Sequence, residues 1–354
     1  MLLEGLQLPL TTPLYSDGRL NLPKLEHNAA RYSKAPVAGL VALSDPGEPT
    51  MLSDEETRQV LRSAADATEV EKVLIAGVSR DSVVGTLDLT ETAAKFGYDA
   101  VLVKMPSLFR AGESFKVSKP VLTYFQAIAD RAALPVILYS AASEQGGSLP
   151  VEIVIELAGH PRIVGLVDAA GGRERLETLR NGTSGVKRDV TVTSVFAAVT
   201  GRMQARSDAA AGGLVSADSL SGGGAALAVT PTKTAPKTRT KIVGFQILAG
   251  GTAGILEALR AGAVGAMSGF AASAPQACYE VLAAWKDGDE ALALEKQIRL
   301  REVAKRVESE IGVAGIKFGC DLNGYFGGRP RLPLLPLTGD ERAEIEILMQ
   351  GLRN

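Results

Sequence analysis

Short apolar runs alternate with longer segments of helical spacing along the chain. The runs are GLQLPLTTP (5–13), VAGLVALSD (37–45), EKVLIAGVS (71–79) and DAVLVKMP (99–106). They continue as LPVILYSAA (134–142), RIVGLVDAA (162–170), KIVGFQILAGG (241–251) and GAVGAMSGF (262–270). A run such as Ile163-Val164-Gly165-Leu166-Val167 is apolar on both faces, as a strand covered by helices is. Strand followed by helix, repeated, predicts a parallel sheet. Eight such units are the arithmetic of a (β/α)8 TIM barrel.

The intervening segments carry helix punctuation. Ser53, with Glu56 three residues on, predicts a capping box opening a helix over 53–68, in which hydroxyl and carboxylate each satisfy an orphan backbone donor. The segment 86–98 ends with Gly97 in a C-cap position. Beyond the last strand, 273–312 reads as two helices broken near Asp287-Gly288, and a final helix over 339–353 follows a Pro-rich connector. The expected organisation is a barrel over 1–272 and a small C-terminal helical extension over 273–354. One connection breaks the rhythm. Residues 180–240 are strand-like near 189 and then poor in apolar surface, so 205–240 is expected to be a flexible, low-complexity insertion before the seventh strand. Its Lys233, Lys237 and Arg239, with the adjoining Lys241, read as solvated charges.

Composition narrows the function classes. Hydrophobic residues make up 46% and charged residues 22%, ordinary for a soluble enzyme-sized chain. A net charge of −2 gives no electrostatic case for nucleic acid or an anionic membrane surface, and neither partner is expected. The first residues lack a basic region and meet Glu4, Pro9 and Pro13 early, unlike a signal peptide. No apolar run reaches the roughly 18 residues a membrane helix needs, so a cytoplasmic protein is expected. Cys278 and Cys320 stand apart without C-x-x-C spacing and read as buried thiols. The histidines are His27, in the first helix, and His160, before the sixth strand and toward the face opposite the chemistry. No His-rich zinc site is expected; Asp45, Asp168 and Glu48 at the strand ends could offer hard oxygen ligands to a divalent cation, but solvated carboxylates are the reading and no metal or cofactor is expected.

TTPLYSDGRLN (11–21), GLVALSDPGEPTMLSDEE (39–56), LPVILYS (134–140) and GIKFGCDLNGYFGGRPRLPLLPLT (315–338) together resemble the dihydrodipicolinate synthase and N-acetylneuraminate lyase family from about residue 5 to the end, the insertion excepted. The resemblance implies a tetrameric barrel in which a 2-oxo acid, usually pyruvate, forms a Schiff base with a lysine of the sixth strand. The family's G-I-K-D-S-S-G motif here reads Gly165-Leu166-Val167-Asp168-Ala169-Ala170-Gly171. Valine has no nitrogen, so no imine forms at 167. The family's G-T-T-G-E loop reads Ser44-Asp45-Pro46-Gly47-Glu48, in which Asp45 would repel a carboxylate and Pro46 donates nothing. Its P-Y-Y reads Pro106-Ser107-Leu108, and its arginine beyond the fifth strand aligns with Glu144. Tyr139, which the resemblance assigns to a proton relay, is kept. The chain thus reads as a divergent member lacking the Schiff-base lysine.

Other candidates remain. Lys104 follows four apolar residues at the C-terminal end of the fourth strand, the barrel face that carries chemistry. It is either a desolvated nucleophile or a rim lysine paired with Asp45 or Asp168. The catalytic candidates are Tyr139 and Lys104. Candidates for binding a small carbonyl or carboxylate ligand are Asp45, Gly47, Glu48, Asp168 and Ser268. The turn ILAGGTAG (247–254) could cradle a phosphate but equally serves as a tight turn. Trp285 and the apolar ridge in 279–298 suit core or subunit packing.

The reading is a carbon–carbon lyase or aldolase-like enzyme of altered chemistry on a small oxo acid or related carbonyl compound, in a homo-tetramer or dimer. The alternative is a catalytically inactive barrel that binds a small molecule or partners an active subunit. A mouth converging Lys104, Tyr139 and a carboxylate favours the enzyme; one plugged by Leu108, Val167 and Met267 favours the alternative.

Overall fold

The computed structural model describes residues 1–109, 114–142, 147–211 and 237–352. Its strands, in chain order, are β1 (Gly5–Pro9), β2 (Gly39–Ala42), β3 (Val73–Gly77), β4 (Ala100–Lys104), β5 (Val136–Ser140) and β6 (Ile163–Asp168), then β7 (Arg188–Thr193), β8 (Thr238–Val243), β9 (Gln246–Ala249) and β10 (Gly265–Ala266). Eight of them close in the order β1-β2-β3-β4-β5-β6-β9-β10 with every pairing parallel, while β7 and β8 form a separate antiparallel pair. Each barrel strand lies inside one of the apolar runs. The fold is the (β/α)8 barrel expected.

Alternation along the strands sorts side chains into two layers. Val101, Val103, Leu138 and Leu166 face outward to the helices. Leu102, Tyr139, Val167, Leu248 and Met267 face inward and fill the barrel. At the closing seam the backbones run so close that a Cβ at Gly265 would meet the Gly5 carbonyl oxygen at 2.1 Å.

The helices are α1 (Leu22–Ser33), α2 (Asp54–Ala67), α3 (Val83–Lys95), α4 (Ser114–Ala129), α5 (Val151–Ala158), α6 (Arg173–Gly182), α7 (Gly201–Ala211) and α8 (Ile255–Arg260). The C-terminal extension adds α9 (Pro275–Lys286), α10 (Glu290–Ala304), α11 (Val313–Leu322) and α12 (Gly339–Met349). The Ser53–Glu56 capping box forms at α2, and Thr338 with Glu341 forms a second at α12. Between α10 and α11 the chain widens into a π-helical segment, Lys305–Ile311. No helix of the described residues is long and apolar enough to cross a membrane.

The extension is bound into the barrel. Tyr325 stacks on Tyr32 of α1 with ring centres 4.1 Å apart, and the Tyr32 hydroxyl donates to the Ala272 carbonyl at 2.5 Å. The Arg331 guanidinium reaches back to Glu56, Met51 and Gly18.

The long connection behaves differently from its expectation at both ends. Residues 201–211 are helical and 238–243 are a strand, so the predicted seventh strand (241–251) is two strands parted at Gly244-Phe245. Lys233 lies outside the described residues, as does most of the stretch expected to be flexible. The hairpin and α7 cover the N-terminal end of the barrel. Val190 and Val192 cluster with Leu2, Lys241 pairs with Glu4, and Arg188 donates to the Ala158 and His160 carbonyls. Arg202 donates to the Thr68 and Lys72 carbonyls, just ahead of β3. Every one of these partners precedes a barrel strand.

Candidate functional site at the barrel mouth

The C-terminal ends of the strands surround two adjoining cavities, of about 600 Å³ and about 250 Å³, which share Asp45 and Val313 in their walls. Lys104 reaches the larger one because Ala100, Leu102 and position 104 share the inward face of β4. Its ammonium pairs with Asp45 and sits 4.6 Å from the centre of the Tyr139 ring. The ring belongs to the next strand, where Lys104 and Tyr139 are register partners. Lys104, Tyr139 and Asp45 therefore converge. Charge against carboxylate and charge over an aromatic face hold the lysine as a positioned cation.

Val167 is register partner to Tyr139 and Leu248 and is wholly buried between them. Met267 lines the smaller cavity, whereas Leu108 is 76% exposed and plugs nothing. Burial pushes the Tyr139 phenol well above its ordinary value, with the Glu308 and Asp168 charges adding to the shift. The phenol keeps its proton at neutral pH and is a hydrogen-bond donor.

The remaining candidates sit where alternation sends them. Asp168 follows inward Val167 and turns outward, its carboxylate bound by both oxygens to Arg175 of α6 at 3.1 Å. Arg175 also donates to Ser140 Oγ and the Leu149 carbonyl. Burial raises the Asp168 carboxyl, and Arg175 pulls it back. Ser268 alternates with Met267 and lies against the Cys278 thiol of α9, away from the cavity. Gly47 is buried in the loop after β2 and its carbonyl accepts from Thr12 at 2.7 Å. Glu48, in left-handed backbone, pairs with buried Lys317 of α11 and accepts from the Arg331 amide at 2.7 Å. Glu144, the aligned replacement for the family's arginine, lies outside the described residues. The turn after β9 places Gly250 and Gly251 in the wall of the smaller cavity. Among the described residues there is no cluster of three or more side chains suited to hold a metal.

One group at the mouth escaped the sequence reading. Glu308 projects from the π-helical segment into the wall of the smaller cavity. It accepts the Gly269 amide at 2.6 Å and the Thr252 amide at 3.1 Å, joining the loops after β10 and β9. Burial raises its carboxyl against these amide donors. A signal was present: Leu300 and Ala304 form the buried stripe of α10, and a carboxylate at 308 continues that stripe. A π-helical insertion that re-aims such a residue is a recurrent feature of functional sites.

Comparison with known proteins accounts for the scaffold. The chain is 26% identical over 349 residues to the 4-hydroxy-tetrahydrodipicolinate synthase of Acidiphilium cryptum, covering 99% of this chain and 98% of that one. It is 34% identical over 179 residues to the synthase of Xanthomonas axonopodis pv. citri, covering 51% of this chain and 58% of that one. A dihydrodipicolinate synthase from Bacillus anthracis shares the fold with a TM-score of 0.77 at 20% identity, covering 100% of both chains. The pyruvate complex of the Acinetobacter baumannii enzyme gives 0.76 at 22% identity, covering 99% of this chain and 100% of that one. The model of the dihydrodipicolinate synthetase family matches residues 2–205 and 228–351, and the chain belongs to that family.

Proposed function

We propose that the chain is a carbon–carbon lyase or aldolase-like enzyme that acts on a small carbonyl compound without an imine to the protein. The observation that carries this reading is the convergence of Lys104, Tyr139 and Asp45 at an open mouth, above a sixth strand that offers only Val167. With Lys104 engaged by Asp45 and the Tyr139 ring, the chemistry is acid–base: a carbonyl polarised by donors, and a proton moved on the neighbouring carbon. No step passes through position 167.

The test is hydrogen exchange in D2O, followed by proton NMR over a panel of 2-oxo acids, aldehydes and ketones, with borohydride trapping read by intact-protein mass. Exchange beside the carbonyl of at least one compound, with no reduced adduct, is expected. An adduct on Lys104 would instead make this a relocated imine enzyme. The absence of both exchange and cleavage across the panel would sink the enzyme reading.

A second reading, a silent barrel that binds a small molecule or partners an active subunit, draws on Val167, a hydrocarbon at 0% exposure where the resemblance puts the family's nucleophile. The reading also takes the protein as cytoplasmic and as a homo-tetramer or dimer. Exposed Leu108, Leu332 and Leu335, on segments that border the larger cavity, support self-association. Light scattering that returned the monomer mass would remove it.

A further inference from the structure

The smaller cavity differs from a site for a 2-oxo acid in the sign of its walls. A carboxylate ligand is held by cations or by converging donors. Among the described residues no lysine, arginine or histidine lines this cavity, while Asp45 and Glu308 both do. The Asp45 charge is balanced by Lys104. The Glu308 partners are backbone amides, which carry no net charge, so an anion here would face an unneutralised carboxylate. The cavity is also small: about 250 Å³, below the roughly 300–1,000 Å³ of sites for drug-sized ligands.

Donors for a neutral oxygen are present. Ser44 is 2% exposed and its hydroxyl, at the cavity wall, has no hydrogen-bond partner among the described residues. A buried hydroxyl left in that state lacks solvation that a ligand oxygen can restore. Tyr139 lines the same cavity. Met267, Ala169 and Pro9 supply apolar surface.

We propose that this cavity binds an uncharged small carbonyl compound, and that Glu308 takes a proton from the carbon beside that carbonyl and returns it. The proposal rests on the acid–base reading above and adds the charge of the ligand and the identity of the base. In the step, the C–H bond breaks and its proton passes to a Glu308 oxygen. The bonding pair becomes the carbon–carbon double bond of the enolate, and the carbonyl π pair moves to oxygen. There the Ser44 and Tyr139 hydroxyls donate hydrogen bonds. Reversal returns the proton, and no other reactant is consumed. Burial supports the role, because a carboxylate raised toward neutrality is a stronger base for carbon.

Hydroxyacetone and pyruvate share three carbons and a ketone but differ in charge, which makes them the probes. Saturation-transfer NMR on the full chain reads binding, and deuterium incorporation reads proton transfer. Hydroxyacetone is expected to bind and exchange, and pyruvate to do neither. Exchange should fall on the acid side with a midpoint above the ordinary glutamate value of 4.5. Glu308→Gln should lower exchange by about 100-fold or more, with hydroxyacetone still bound.

Preferential binding of pyruvate would overturn the ligand class while leaving the acid–base reading intact. Exchange that persists in Glu308→Gln would overturn the base and leave the ligand class. Hydroxyacetone bound with no exchange of any compound would defeat the acid–base reading and this base together, and uphold the ligand class alone. Should Glu308→Gln fail to fold, the native pH profile decides: exchange undiminished down to the ordinary carboxylate range excludes Glu308.

Discussion

Lys317 of α11 and Glu48 of the loop after β2 form an ion pair in which both side chains are buried, at 0% and 1% exposure. Lys317 also donates to the Arg329 carbonyl at 2.9 Å, and Glu48 also accepts the Arg331 amide. The pair ties the last quarter of the chain to the mouth. Glu48, a binding candidate by the resemblance, lies in the loop after β2 at the wall of the larger cavity, and its carboxylate is held by Lys317 and the Arg331 amide.

Removing one member of such a pair leaves the other buried and uncompensated. Lys317→Met is expected to lower stability by about 3–5 kcal/mol, and Lys317→Met with Glu48→Gln to recover much of that loss. Urea denaturation of both variants measures it. A double variant no more stable than the single one would contradict the account.

Asp168 and Arg175 call for a parallel experiment with a geometric control. Arg175→Ala should cost about 3–5 kcal/mol, because Asp168 loses its only charged partner among the described residues. Arg175→Lys should restore little, since the fork that holds both Asp168 oxygens and reaches Ser140 and Leu149 is gone. Thermal midpoints of the two variants within a degree or so of the parent would refute this.

The hydrogen bonds from Arg331 to Glu56, with the Ser53 amide, hold the Glu56 carboxyl down to about 2 from an ordinary 4.5. A carboxylate depressed in the folded state stabilises fully above its unfolded value, and that stability fades as pH falls toward the folded one. Between about pH 4.5 and about pH 2 the native chain should lose stability that Glu56→Gln has already lost at neutrality. Allowing for solvent screening, the difference is about 1–2 kcal/mol. Denaturation curves of both proteins at neutral and acid pH should converge; parallel curves would exclude Glu56 as the source.

Val167→Lys alone should fail to create pyruvate condensation, because by the resemblance Asp45 and Pro46 take the places of the family's hydroxyls. It should also destabilise the barrel by several kcal/mol, since an ammonium would enter an apolar layer of Leu248 and Met267. A coupled condensation assay and a denaturation curve test both halves. Robust condensation by this variant would show that the rest of the family site is intact.

The barrel was legible because buried parallel strands are short apolar runs bounded by small residues, a pattern that survives low identity. Strand alternation could also have turned Asp168 and Ser268 away from the cavity, given inward Val167 and Met267. β8 was hidden because TRTKIV is exposed at most positions and pairs only with β7, so its apolar content is low. For Glu308 the sequence held a partial signal, its spacing from Leu300 and Ala304, but not the π-helical turn that aims it. A π-helical segment is a change in backbone hydrogen bonding, with no residue type that marks it.

The described parts of the long connection lie against the N-terminal ends of the strands, while both cavities open at the other end. Among the described residues, the cavity walls and this outer layer are thereby uncoupled. The described segments 188–211 and 237–243 can vary without touching a residue that lines either cavity. The short turn at Asp45-Pro46-Gly47, by contrast, has no such latitude, and a change of one residue there would alter what the mouth accepts.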